Sequence, residues 1–140
     1  PGFDAYDRGM PRRVPRHPSR SGAEVRREIL RVERLVAETL RTLPDPLRAA
    51  ADELILVVEA GGAARDGTGD EIYGLFDGVS RGERSGYGDP PARITLYART
   101  LVADFASDEE LAREVRRTVV HEIGHYLGLD EEDLQRRGLE

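Results

Sequence analysis

The stretch His121-Glu122-Ile123-Gly124-His125-Tyr126-Leu127-Gly128-Leu129-Asp130-Glu131 carries an H-E-x-x-H pattern at the end of an apolar-periodic segment. In a helix, residues four apart lie one above the other on the same face, about 6 Å apart at Cβ. His121 and His125 therefore offer two imidazoles to one side, and both can reach a single Zn²⁺ at ~2.0–2.1 Å. Glu122 is turned ~100° from His121, so its carboxylate can reach a water beside that metal without ligating it. One rigid element thus supplies two ligands and a base.

A catalytic zinc takes a third protein ligand and keeps one position for water. Gly128 can adopt positive φ at low cost, ending the helix and folding the chain back. Glu131 then falls where H-E-x-x-H-x-x-G-x-x-H proteins place their third histidine, and Asp130 is one residue short of it. The bland alternative is that Asp130-Glu131-Glu132-Asp133 caps and charges a last helix, with Asp130 as N-cap. For the two histidines the bland reading is a pair of solvated helix side chains. His17, the third histidine, lies among prolines and arginines and reads as solvated.

Working back from the motif, Ser107-Asp108-Glu109-Glu110 has the spacing of a capping box, and Leu111, Val115, Val119, Ile123 and Leu127 make an apolar stripe. Before it, Arg93-Ile94-Thr95-Leu96-Tyr97 alternates as a strand with one wet face does, and a helical turn follows around 101–105. Leu54-Ile55-Leu56-Val57-Val58 is the best candidate for a buried strand, and a further strand is expected over Tyr73–Val79. Residues 60–71 and the stretch Ser80–Pro91 read as loops. Ser21-Gly22-Ala23-Glu24 is another capping box, opening a helix whose stripe runs through Val25, Ile29, Val32, Val36 and Leu40. Pro44-Asp45-Pro46 ends it, a short helix follows to about Glu53, and a last one is expected over Glu131–Arg137. The fold class is α+β with a small, mainly antiparallel sheet.

The chain has 140 residues, no Cys and a net charge of −6. That length fits one domain able to fold without staples, and the missing thiols exclude a disulfide framework, a thiolate zinc site and a Cys nucleophile. Residues 1–21 hold five Arg against two acids and read as a flexible basic arm, while residues 22–140 form the domain and hold sixteen Arg against twenty-five acids. An acidic body repels phosphate backbones, so no nucleic-acid partner is expected. No apolar run approaches the ~20 residues of a membrane helix, so no membrane partner is expected either. No secretory apolar core precedes the domain, which makes the cytoplasm the default location.

Around the zinc motif, with Arg93–Tyr97 and Gly74-Leu75-Phe76-Asp77-Gly78-Val79 as supporting segments, the chain resembles the small bacterial zincin-like metallopeptidases, or mini-zincins. The resemblance covers roughly residues 22–140. It implies a minimal zincin fold, one Zn²⁺ per chain held by His121 and His125, Glu122 as catalytic base, and an acid near the motif's end as third ligand. That family position usually holds Asp, so Glu131 departs by one methylene. Metzincins floor their metal with a Met turn, and the single Met here, Met10, is in the arm; Leu139 or Tyr97 are the substitutes to consider. The expected activity is zinc-dependent hydrolysis of a peptide or protein substrate, with Glu122 activating a zinc-bound water. The alternative is a non-catalytic zinc-binding or protein-interaction module that keeps the zincin shell. An extended substrate would add to the Tyr73–Val79 edge, the loop Ser80–Asp89 would border the cleft, and Tyr126 would pack. Exposed sheet edges also let two copies pair, so a homodimer is among the expectations.

Overall fold

The structure, a computed structural model, describes residues 20–61, 73–85 and 87–140. The basic arm, apart from its last two residues, and most of the 60–71 loop lie outside the described residues. Helix α1 spans Gly22–Thr42 and α2 spans Leu47–Ala51. Strands β1 (Ile55–Glu59) and β2 (Gly74–Asp77) follow, then a 3₁₀ turn at Arg81–Glu83 and β3 (Arg93–Tyr97). Three helices complete the chain, α3 (Ala98–Asp104), α4 (Asp108–Leu127) and α5 (Glu131–Arg136).

The helix starts follow from their caps. Ser21 accepts from the Glu24 backbone N–H while the Glu24 carboxylate accepts from the Ser21 N–H, which satisfies donors that a helix N-terminus leaves unpaired. Ser107 does the first half of this for α4, accepting from Glu110 N–H. Gly128 closes α4 at φ 76°, with its N–H and that of Leu129 returning to the last-turn carbonyls; a side chain there would meet the left-handed penalty.

Among the described residues the sheet has three strands in the order β1-β3-β2. The fold class is α+β, as expected, and the sheet is mixed: β3 pairs antiparallel with β2 but parallel with β1. The two candidate strands exchange roles in burial. The apolar run expected to be most buried is β1, whose ends are exposed, because it has a strand neighbour on one side. Arg93–Tyr97, expected to keep a wet face, lies between two strands, and Ile94, Thr95 and Leu96 are all buried.

One face of the sheet packs against α1 and α4. Val32 and Val36 of α1, Leu111, Val115, Val119 and Ile123 of α4, and Ile94 and Leu96 of β3 form the core. Full burial of each such aliphatic side chain contributes ~1.5–3 kcal/mol. Packing that stripe inward leaves the next quadrant of α4, with His121 and His125, looking out beside β2. No helix is long and apolar enough to cross a membrane among the described residues.

Candidate metal centre

The last turns of α4 place His121 and His125 side by side. Their ring centroids are 4.5 Å apart, and the side chains are 39% and 49% exposed. Ligand atoms of His121, Glu122 and His125 all lie within 4.8 Å of one another. Two ligands of a tetrahedral zinc at ~2.1 Å stand ~3.4 Å apart, so the trio's spacing is close to what one ion needs.

Glu122 differs from its neighbours in being buried, its side chain 9% exposed. One carboxylate oxygen, Oε1, has no hydrogen-bond partner. His125 Nδ1 is 3.2 Å away and makes no hydrogen bond to it. An unpaired buried polar atom costs ~1–3 kcal/mol, more if charged, and such atoms mark positions kept for a ligand, water or chemistry. The donor set and the unpaired oxygen therefore fit a divalent ion with an adjacent water.

The chain reverses at Gly128 and brings the start of α5 back to this face. Glu131 Oε1 lies 3.5 Å from His121 Nδ1, on a side chain that is 56% exposed. It stands just outside the close trio. Asp130 is committed elsewhere: its carboxylate caps α5 by accepting from Asp133 N–H at 2.8 Å, and the Asp133 carboxylate accepts from Asp130 N–H in return. The Asp130 N–H holds the Asp133 carboxyl below its ordinary range. Of the two acids weighed as third ligand, Glu131 is the one that approaches His121. His17 is outside the described residues.

A cleft of about 480 Å³ runs between β2 and α4 and contains His121, Glu122 and Glu131 on its wall. Tyr73 and Gly74 form the opposite lip. Gly74 is needed for the approach: a Cβ there would sit 2.6 Å from Thr118 Cγ2 and 3.7 Å from Glu122 Cγ. A glycine inside a strand pattern is the signal for such close contact, so this residue was findable. Tyr73 is fixed by a hydrogen bond from its hydroxyl to Asp104 and an edge-on contact with Phe105. Neither Leu139 nor Tyr97 lines the cleft; Tyr97 lies instead against Gly61.

The loop expected to border the cleft is tied to a different face. Arg81 makes a bidentate pair with Glu53 at 3.1 and 2.7 Å, and its guanidinium lies 5.7 Å from the Tyr126 ring centre. Tyr126 is buried, as its position off the histidine face implies, and donates its hydroxyl to Glu53 at 2.5 Å. The Tyr126 hydroxyl and Arg81 hold the Glu53 carboxyl below its usual range, while burial raises the Tyr126 phenol. Described residues of 80–89 are absent from the cleft wall.

A family model described as zincin-like metallopeptidase matches residues 53–139. No curated protein matches the chain.

Proposed function

The chain belongs to the zincin-like metallopeptidase family, and from that premise we propose that it is a zinc-dependent peptidase in which Glu122 is the catalytic base. His121 and His125 would hold the ion, with Glu131 at the start of α5 as third ligand. Zinc, when bound, supplies Lewis acidity toward the scissile carbonyl and lowers the pKa of a coordinated water toward ~7. Glu122 takes the proton of the attacking water and returns it to the leaving amine. Its burial restricts how the carboxylate can turn, and Gly74 lets β2 lie close to the aliphatic stem. A peptide or protein segment in extended form lies along the outer edge of β2, adding main-chain hydrogen bonds that carry it across the cleft.

The observation that carries this reading is Glu122 Oε1, buried with no hydrogen-bond partner, beside two adjacent imidazoles. Ligands alone would also serve a non-catalytic zinc module; a buried base next to them serves hydrolysis. The test combines an equilibrium zinc titration with a peptide-library cleavage screen. Wild-type protein is expected to bind one zinc and cut. Glu122→Gln is expected to bind zinc as well but lose at least ~10²-fold in cleavage rate. Zinc binding without cleavage by the wild-type protein would favour the non-catalytic module instead.

A further inference from the structure

A second cavity, of about 370 Å³, opens between α4 and α5 and shares His121 and Glu131 with the cleft. Its floor is apolar, made by Val120 and Leu134, which are 2% and 1% exposed. Its wall carries three arginines of α4, Arg113, Arg116 and Arg117, whose spacing of i, i+3 and i+4 puts them on one helix face.

These guanidiniums are not equally occupied. Arg117 is paired with Glu114 at 3.1 Å. Arg116 donates to Thr42 Oγ1 at 3.1 Å, a neutral acceptor that leaves its charge uncancelled. Arg113 is exposed and has no ion-pair partner among the described residues. On the acidic side, Glu114 is taken by Arg117 and Glu131 lies 3.5 Å from His121, leaving the exposed Glu140 as the remaining lining acid. Two cationic forks thus stand over an apolar floor, one wall away from the candidate base.

We propose that this cavity is a specificity pocket for a carboxylate of the peptide substrate, held by Arg113 and Arg116 with its carbon stem on Val120 and Leu134. The inference rests on the peptidase reading above and names the substrate class: peptides acidic near the scissile bond. Guanidinium forks match carboxylate geometry, and the pairing strengthens where one side of the pocket is dry. The carboxylate comes either from an Asp or Glu side chain or from a free peptide C-terminus.

Zinc-loaded protein is assayed on matched quenched-fluorescence peptides with Glu, Gln or Lys at each position flanking the bond, each made as free acid and as C-terminal amide. Glu is expected over Gln by about tenfold in kcat/KM. The ratio should fall toward one in the double variant Arg113→Gln/Arg116→Gln and turn toward Lys in Arg113→Glu/Arg116→Glu. Discrimination of acid from amide, with none of Glu from Gln, assigns the pocket to the chain terminus. Calorimetric binding of the same peptides to the Glu122→Gln protein separates the two readings. Arginine-dependent binding of acidic peptides with no cleavage by wild type sinks hydrolysis and keeps the pocket. Cleavage and binding indifferent to both kinds of carboxylate overturn the pocket and keep hydrolysis.

Discussion

Tyr126 lies one helical turn beyond Glu122, and its ring is buried while its hydroxyl donates to Glu53. Its partner Glu53 also receives two bonds from Arg81, so the carboxylate is shared between a buried phenol and a half-exposed guanidinium. Removing the hydroxyl in Tyr126→Phe leaves Glu53 still paired and still wetted, which limits the loss to ~1–2 kcal/mol of unfolding free energy. Urea denaturation should show a lower midpoint with an unchanged slope. This network was not legible in the sequence. In the sequence Glu53 stands at the end of the short helix expected after Pro46 and looks like any solvated acid, and only the fold carries it across 73 positions to Tyr126. His121, Glu122 and His125 were legible because their relation is local, set by the 3.6-residue repeat alone. The choice between Asp130 and Glu131 was not, since both readings of the acidic run satisfy local rules and only the cap geometry shows that Asp130 is engaged.

At the level of elements, α4 and α5 are joined by Gly128 at φ 76°, and this turn decides where Glu131 arrives. Gly128→Ala keeps every side chain of the site but penalises the left-handed turn by ~1–2 kcal/mol. The expected result is a small fall in thermal stability together with zinc affinity weakened about tenfold, as for other changes that misplace a ligand's support. Zinc affinity equal to wild type would mean that Glu131 takes no part. Helix limits could be read from the chain because caps and stripes are short-range signals. Strand neighbours could not: the parallel partnership of β1 with β3 joins segments 38 positions apart, Ile55 against Arg93, and no local periodicity encodes it. The strand expected over Tyr73–Val79 is shorter, Gly74–Asp77, because Gly78 turns away at φ 123°.

For the molecule as a whole, acid and base act on the same small network. The Glu53 pKa is lowered in the fold, so its contribution to stability is present above the ordinary Glu value of ~4.3 and is lost as pH falls through the folded value. The Tyr126 pKa is raised, so its contribution is present below ~10 and is lost as pH rises through the folded value. Stability is therefore expected to be flat across neutral pH and to fall at both ends. Denaturant midpoints measured against pH should show this, and in Glu53→Gln the acid limb should become shallower. An acid limb identical to wild type would remove Glu53 from the account.

Every candidate donor to the ion comes from eleven consecutive residues, 121–131, whereas the opposite lip of the cleft is supplied by Tyr73 and Gly74 from far upstream. On the proposed reading, the ion's donors and the base thus come from one stretch of the polypeptide, and the lip on which a substrate would rest comes from another. Damage to the upstream stretch would leave a descendant that still captures zinc but has nowhere to lay a substrate, so metal content by itself is a poor guide to which members of such a lineage remain scissors.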